Sequence, residues 1–201
     1  MEMRLKIQGC DAKTCAMCHI TEEEFVEKLD YIKSAPCDRG VLKMIVIRPA
    51  ENEREVLDSC QLSVQGGAHG DSWAKKCWMT LPDGSPDPIV QIAMMNYRVL
   101  EVIAGTDEER ALAGDALCVD FDLSDENLKE GDRLKIGEAK LEVTRQPHNG
   151  CGKFAKRFGK EALAFINSPV GKALHLRGIY VRVVEDGLVR KGDRIQKSVE
   201  G

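Results

Sequence analysis

The sequence predicts a β-rich α+β fold: a closed barrel of short strands, with a few short helices packed at its ends. Three observations support this prediction: short segments of alternating apolar and polar residues, repeated Gly-Asp turns, and few helical segments. Chains with many short strands and regular turns are most often barrels or sandwiches. At 201 residues, the chain is long enough to bury a sizeable hydrophobic core.

Alternating residues predict the strands from about residue 41 onward. The clearest alternation, at Ile179, Val181 and Val183, lies near the C-terminus. The other predicted strands are Leu42 to Ile47, Ile89 to Ala93, Leu117 to Phe121, Leu134 to Ile136, and Leu141 to Val143. The segment from Leu188 to Ile195 predicts a final hairpin.

Gly-Asp pairs separate several of these strands. Two of them open nearly identical phrases, Gly131-Asp132-Arg133-Leu134 and Gly192-Asp193-Arg194-Ile195. We expect the glycine of each pair to take a positive φ, and the aspartate to bond back to the backbone before the strand begins.

Helical patterns are fewer. Thr21 and Glu24 form a predicted capping box, and the apolar spacing that follows predicts an amphipathic helix over residues 22–34. Further helices are predicted at 96–103, 154–158 and 161–166. We therefore divide the chain into an N-terminal Cys-rich and helical extension, residues 1–39, and a barrel domain, residues 40–201.

Composition narrows the class of protein. The chain is 43% hydrophobic and 31% charged, with a formal net charge of −4. Acidic residues outnumber basic ones and no long basic block occurs, which argues against nucleic-acid binding. No apolar run approaches a membrane span, and the first residues do not resemble a signal peptide. We expect a cytoplasmic protein whose eight cysteines stay reduced.

Cys151 is the strongest candidate for chemistry. It follows a Pro147-to-Gly150 turn, with His148 three residues before it and Lys153 and Arg157 close behind. Positive charge near a thiol favours the thiolate, the form that attacks electrophiles and binds soft metals. The segment predicts a reactive thiol.

The ordered motifs around Cys151 resemble the MOSC domain, which occurs at the C-terminus of molybdenum cofactor sulfurases and in stand-alone bacterial proteins. The likeness covers roughly residues 40 to 197 and is closest to the stand-alone bacterial type. The following segments carry it: Gly70-Asp71-Ser72-Trp73, Leu123 to Leu128, Gly131 to Thr144, Pro147-His148-Asn149-Gly150-Cys151, Leu176 to Val181, and Gly187 to Asp193.

The resemblance implies a pyruvate-kinase barrel-like fold and a link to the molybdenum cofactor, a molybdopterin. It implies that Cys151 either carries sulfur as a persulfide or ligates molybdenum. His148 would then take the thiol proton. The predicted cofactor-binding residues are Asn149, Lys153, Arg157, Arg177, His69 and Asp71. Arg offers a planar fork of donors for a phosphate.

The chain also departs from the sulfurases. It has no cysteine desulfurase domain and no lysine in a pyridoxal-phosphate setting, so the family's association with pyridoxal phosphate does not extend to these residues. A separate cysteine desulfurase is the expected sulfur-donor partner. Whether the protein is an enzyme is left open. A non-catalytic cofactor carrier or scaffold, and a metal-responsive protein, are the alternatives, and the sequence does not indicate an oligomeric state.

A second candidate metal site lies outside the resemblance. Cys10, Cys15, Cys18 and His19 form a C-x4-C-x2-C-H cluster near the N-terminus. The spacing is compatible with an iron–sulfur site or with zinc held by three thiols and an imidazole. Free thiols in a small turn are the alternative, because cysteines this close also occur without metal.

Overall fold

The computed structural model describes residues 5–8 and 20–198. Twelve strands and eight α-helices make up this part of the chain. The strands are β1 (Leu5–Gln8), β2 (Gly40–Ile47), β3 (Glu53–Leu57), β4 (Ser59–Ser63), β5 (Gly67–Ala68), β6 (Ile92–Asn96), β7 (Leu117–Asp120), β8 (Arg133–Ile136), β9 (Ala139–Pro147), β10 (Ile179–Glu185), β11 (Gly187–Arg190) and β12 (Arg194–Lys197). The helices are α1 (Glu22–Glu27), α2 (Leu29–Lys33), α3 (Trp73–Lys76), α4 (Tyr97–Ile103), α5 (Asp107–Ala111), α6 (Gly152–Phe158), α7 (Lys160–Ile166) and α8 (Pro169–Ala173).

Seven strands close into a barrel. Around it the order is β2, β12, β8, β9, β10, β6 and β7, and β7 pairs back onto β2. Every neighbouring pair is antiparallel except β6 and β7, which are parallel, so the barrel is mixed. Strands β3 and β1 extend the sheet from β2, while β11, β4 and β5 form a second, three-stranded sheet. The predicted fold class, a closed barrel with a few short helices, is confirmed.

Two apolar clusters make up the core. The first fills the barrel with one face of each strand, including Leu42, Leu117 and Val181, all fully buried. Filling by alternate side chains is expected of a small barrel. The second lies between the barrel and the helices; there the Phe25 ring on α1 stacks on the Phe165 ring on α7, with centroids 4.4 Å apart. The predicted boundary at residues 39 and 40 stays a prediction.

The Gly-Asp turns take the predicted form. Gly131 and Gly192 have φ values of 87° and 95°. The carboxylate of Asp132 accepts the Lys129 N–H at 2.8 Å, and the carboxylate of Asp193 accepts the Arg190 N–H at 2.7 Å. Each turn leads directly into a barrel strand, β8 or β12.

Two predicted elements were wrong in detail. The segment 188–195 does not form a hairpin, because β11 pairs with β4 in the second sheet while β12 pairs with β2 and β8 in the barrel. The strand predicted at 89–93 begins later, at Ile92. A 3₁₀ helix occupies Pro88–Val90, because the Asp87 side chain caps the Ile89 N–H and Pro88 fits the first helical position. The helix predicted over 22–34 is present as α1 and α2, with the Thr21–Glu24 capping box formed.

Gly40 tests the barrel closure, since it lies where β2 meets β7 and β12. A Cβ added there would lie 2.3 Å from the Asp120 carbonyl oxygen and 2.6 Å from the Phe121 ring. We expect Gly40→Ala to lower the free energy of unfolding by about 1–3 kcal/mol or more through overpacking. Urea unfolding would measure this.

The matched control is Gly152→Ala, where an added Cβ would meet nothing within 4 Å. It should not lower the unfolding midpoint, and it can raise it slightly, because alanine favours a helix more than glycine does. Equal stability of the two variants would contradict the tight closure at Gly40.

Candidate functional site

One cleft collects most of the predicted site residues. Its volume is ≈ 350 Å³, and it lies at one end of the barrel. The walls come from the loop between β2 and β3, from α3 and the residue after it, from the loop after α5, and from α6 with the turn before it. Its chemically relevant lining residues are Arg48, Arg54, Trp73, Cys77, Trp78, Gly114, His148, Cys151, Lys153, Phe154, Arg157, Arg177 and Tyr180. Five of the residues singled out from the sequence line this cleft, and their roles stay predictions: Cys151, His148, Lys153, Arg157 and Arg177.

Cys151 is exposed at the start of α6. The turn before it is fixed by Asn167, which accepts the Gly150 N–H at 2.9 Å and donates to the Gly150 carbonyl at 3.2 Å. A Cβ on Gly150 would lie 2.6 Å from the Leu163 side chain, so a larger residue there would require Leu163 on α7 to shift. The thiol is thus held by packing behind it and open in front.

The pKa of Cys151 is lowered. Burial alone would raise the pKa, but the nearby backbone N–H groups of Phe154 and Lys153 and the charges of Arg177 and Arg157 outweigh it. The Cys151 side chain does not form a capping hydrogen bond to the start of α6. The nearby N–H groups therefore favour the thiolate through their dipoles. A larger fraction of Cys151 is therefore thiolate near neutral pH than for an ordinary cysteine.

His148 is buried behind the cleft. Its side chain is 9% exposed, and its ring packs on the Tyr180 ring with centroids 4.4 Å apart. The Nδ1 atom lies 3.6 Å from an Asp115 oxygen and has no hydrogen-bond partner. Burial, then the charges of Arg177 and Arg48, hold the pKa of His148 well below its ordinary value. An imidazole that resists protonation is a poor acceptor for the Cys151 proton, so the proton-acceptor role stays a prediction that this environment disfavours.

A buried ion pair joins two walls of the cleft. Arg177 Nη1 donates to both oxygens of Asp115, at 2.7 and 2.8 Å, and the Asp115 side chain has no exposed surface. Burial raises the pKa of Asp115, and the charges of Arg177, Arg48 and Arg54 oppose that shift. The Arg177 guanidinium also lies over the Phe154 ring, 5.3 Å from its centroid. This pair therefore places a positive charge beside the first turn of α6.

Sequence reasoning missed Asp115, Arg48 and Arg54. Asp115 has a partial signal, since Gly114-Asp115 is another of the Gly-Asp pairs, but such a pair indicates a turn and not a buried charge. Arg48 is held by Asp71, whose carboxylate accepts from its Nε at 3.0 Å and from its backbone N–H at 2.8 Å. Arg54 gave no signal, because its burial depends on packing against Gly114, far away in sequence.

Arg54 and Arg157 form no ion pair with a carboxylate of the described residues. Arg54 donates to the Glu53 carbonyl and Arg157 to the Leu112 carbonyl, while Asp71 and Asp115 act on Arg54 only at longer range. Arg54 is 8% exposed and its Nε has no partner. Burial, then the charges of Arg157 and Arg48, lower the pKa of Arg54 to about 10. One buried and one half-buried guanidinium, neither of them ion-paired among the described residues, form a site that favours an anion.

The other predicted residues are placed differently. Lys153 lines the cleft at its exposed rim, with its Nζ 3.8 Å from a Glu51 oxygen. Asp71 is outside the cleft lining and acts through Arg48. His69 is exposed and does not line the cleft, and its backbone N–H bonds to the Gln61 carbonyl.

Asn149 lines a second groove of ≈ 510 Å³ instead. His148 and Arg177 line both cavities and therefore form the wall between them. The groove also carries the contact between His175 Nε2 and an Asp125 oxygen, at 3.2 Å. Basic residues line this groove together with the acidic Asp125 and Glu130, whereas Glu51 is the one acidic residue in the lining of the first cleft.

The N-terminal cluster of Cys10, Cys15, Cys18 and His19 lies outside the described residues, so its proposed zinc or iron–sulfur site stays a prediction. Across residues 5–8 and 20–198, no three side chains among His, Cys, Asp and Glu are grouped as a metal site. No helix in that part of the chain has the length and apolar character needed to cross a membrane.

Arg157→Gln tests the electrostatics of the thiol. Removing this charge should raise the pKa of Cys151, so the pH dependence of its alkylation by iodoacetamide should shift to higher pH. Mass spectrometry of the peptide containing Cys151 would follow the reaction.

Lys156→Gln is the control, because this lysine is exposed on the same helix and does not line the cleft. It should leave the alkylation profile unchanged. Identical profiles for all three proteins would show that Arg157 does not act on the thiol.

Comparison with known proteins agrees with this picture. The family model of the MOSC domain matches residues 87–196. The YUAD protein from Bacillus subtilis has a similar fold, with a TM-score of 0.55 and 20% identity over 80% of this chain and 97% of that chain. YiiM from Escherichia coli gives a TM-score of 0.50 and 19% identity over 80% of this chain and 71% of that chain. A search of curated proteins found no match. The matched segment contains β6 to β12 and Cys151, and the chain belongs to the MOSC domain family, which is associated with sulfur chemistry related to the molybdenum cofactor.

Proposed function

We propose that this protein is a sulfur carrier of molybdenum-cofactor chemistry, in which Cys151 bears a persulfide and the arginine-lined cleft holds the cofactor. The observation that carries the proposal is the position of an exposed thiol of lowered pKa at the rim of a cleft with four guanidiniums. Membership of the MOSC family supports the sulfur chemistry. Family membership does not distinguish sulfur transfer from metal ligation. That distinction has to be argued from the residues of this cleft.

The residues of the cleft fit the cofactor. Molybdopterin carries a phosphate, and the buried Arg54 and the half-buried Arg157 provide positive charge without a carboxylate ion pair among the described residues. The Trp73 Nε1 atom, also at this cleft, is buried and has no hydrogen-bond partner. Charge-assisted hydrogen bonds from such donors to a phosphate are among the strongest that proteins form. When bound, the cofactor would supply a metal centre that accepts a sulfur ligand.

The loading step uses the thiolate of Cys151. It attacks the outer sulfur of a persulfide on a cysteine desulfurase; the new S–S bond forms on Cys151, and the donor's cysteine thiolate leaves. The exposure of Cys151 suits this step, because the donor is another protein and must reach the sulfur. The charges of Arg177 and Arg157 that lower the thiol pKa also stabilise the persulfide anion.

The accessibility of Cys151 suits the carrier role. Its thiol is exposed and lines the cleft, so a donor protein can reach the sulfur from outside while the cofactor would lie on the cleft side. Arg177 and His148 then have supporting roles: Arg177 provides charge, and His148 fills the wall behind the cleft.

Persulfide loading tests the carrier role. After incubation with a cysteine desulfurase and cysteine, the tryptic peptide 146–153 should gain the mass of one sulfur atom. Cys151→Ser should abolish this gain. Cys37→Ser is the control, because Cys37 is also an exposed free cysteine but does not line the cleft. Loading of Cys37 equal to that of Cys151 would contradict a specific carrier site.

Cofactor content tests the cleft. Protein purified from a host that makes the cofactor should contain molybdenum and pterin, measured by elemental analysis and pterin fluorescence. Each lost arginine contact costs about 1.5–3 kcal/mol, so Arg54→Gln and Arg157→Gln should each reduce affinity by about tenfold or more. Lys156→Gln should retain the cofactor, since this lysine lies outside the cleft lining.

Cys151→Ala separates the remaining roles in the same measurement. Retained molybdenum fits a sulfur carrier beside a cofactor cleft, while molybdenum lost from a folded variant would make Cys151 a metal ligand. Retained molybdenum without any persulfide loading of the wild type would indicate a non-catalytic cofactor carrier. Zinc or iron in every variant, without molybdenum, would move the metal site to the N-terminal cysteines and favour a metal-responsive protein.

A further inference from the structure

A second free thiol lines the cleft. Cys77 and Cys151 are both free, and both are part of the same cavity wall. The other described cysteines are excluded by position: Cys60 and Cys118 are buried, and Cys37 lies away from the cleft beside an Asp122 oxygen, 3.9 Å from its Sγ. Burial raises the pKa of the Cys60 thiol to about 11, which further reduces its reactivity. Among the described residues, only Cys77 can act on a sulfur held by Cys151 within this cleft.

The proposed function leaves a requirement for electrons. The outer sulfur of a persulfide is at the oxidation state of elemental sulfur, so its release as hydrosulfide takes two electrons. None of the cleft side chains named in the proposed function supplies them, because arginine and histidine have no redox chemistry. A second thiol does so by becoming half of a disulfide.

The segment before α3 is fixed by hydrogen bonds, whereas the loop that follows Cys77 is largely exposed. The segment leading into α3 is fixed where the Asp71 carboxylate accepts the Trp73 N–H at 2.8 Å and the Ser72 N–H bonds to the Arg48 carbonyl at 2.9 Å. Cys77 follows α3 with an extended backbone and is half-buried. Beyond it, Trp78 is 67% exposed, and its side chain interacts with the Tyr180 hydroxyl on β10. The rest of the loop bonds mainly to itself, through Leu81 N–H to the Ser85 carbonyl and Asp87 N–H to the Met79 carbonyl.

This arrangement brings a thiol to the cleft on a short, locally anchored segment. The loop beyond Cys77 closes through its own hydrogen bonds, so a shift of Cys77 toward Cys151 need not break the barrel. A disulfide requires the two Cα atoms to lie within about 4.4–6.8 Å of each other. Cys77 and the loop beyond it must therefore move toward Cys151, until the two Cα atoms reach this distance, when the persulfide reacts.

We propose that Cys77 is the resolving thiol of this site, a catalytic residue that releases the sulfur carried by Cys151. The inference rests on the proposed function. Cys77, as its thiolate, attacks the inner sulfur, which belongs to Cys151. The Cys77–Cys151 disulfide forms, the bond to the outer sulfur breaks, and that sulfur leaves as hydrosulfide with the bonding electron pair. Two cysteine sulfurs are oxidised, one sulfane sulfur is reduced, and a dithiol reductant of the thioredoxin class then restores both thiols.

The test is a single turnover without added thiol. Protein persulfidated by a cysteine desulfurase is separated from the donor, and hydrosulfide release is followed over time. The wild type should release up to one equivalent for each loaded Cys151. Cys77→Ser should release it slower by about tenfold or more, because a thiol held in the cleft is replaced by thiols from other molecules. Cys37→Ser, which removes an exposed thiol outside the cleft, should behave like the wild type.

The disulfide itself is a second readout. Trypsin cleaves after Lys76, Arg98, Arg145 and Lys153, so Cys77 and Cys151 fall in separate peptides, 77–98 and 146–153. Non-reducing mass spectrometry should detect these two peptides joined in the wild type after release, and not in Cys77→Ser. Cys77→Ala provides a second substitution, and thermal unfolding shows which variants are folded.

The outcomes distinguish the two proposals. If peptide 146–153 never gains a sulfur in any protein, the carrier function itself fails. If it gains sulfur but folded Cys77→Ser and Cys77→Ala release hydrosulfide at the wild-type rate, or no joined peptides form in the wild type, the carrier function stands and the role of Cys77 is overturned. Slow release in both variants, together with the joined peptides in the wild type, supports the role.

Discussion

The cleft depends on the ion pair between Asp115 and Arg177. Asp115 has no exposed side-chain surface, and a carboxylate without water must be matched by positive charge. Arg177 supplies that charge at 2.7 Å from the loop that precedes β10, while Asp115 lies in the loop before β7. The pair therefore ties together two barrel strands that are not neighbours in sequence. Removing one member of such a buried pair costs about 3–5 kcal/mol, because the other charge is left unmatched.

The net charge of the cleft depends on how many of its arginines are balanced by a carboxylate. Asp115 is near three arginines, and its one negative charge opposes those of Arg177, Arg48 and Arg54 together. Asp71 balances Arg48 in the same way. Arg54 and Arg157 have no carboxylate of the described residues to pair with, so the cleft keeps a net positive charge although the chain as a whole carries −4. A protein can thus be acidic in total and still present a desolvated anion site, because burial rather than composition decides where charge is left unbalanced.

Local patterns predicted much of the fold and part of the site. The Gly-Asp turns, the Thr21 capping box and the alternation in β10 depend on neighbouring residues, and each was confirmed. The final hairpin failed because its two strands pair with partners far away in sequence, which alternation alone does not encode. The convergence of Cys151, His148, Arg157 and Arg177 agrees with the motif order. Arg54 could not be predicted, because its burial against Gly114 arises only when the loop after α5 folds over β3.

His148 and Arg177 form the wall between the two cavities, which differ in the charged residues and thiols that line them. Both residues line both cavities, but the arginines without carboxylate partners and the two free thiols lie on one side only. His148 stays uncharged because its neighbours are arginines and its surroundings are dry, so it adds no positive charge to the second groove. An anionic ligand is therefore favoured on the Cys151 side. Under the proposed function, this is the side on which the cofactor phosphate and the sulfur carried by Cys151 would meet.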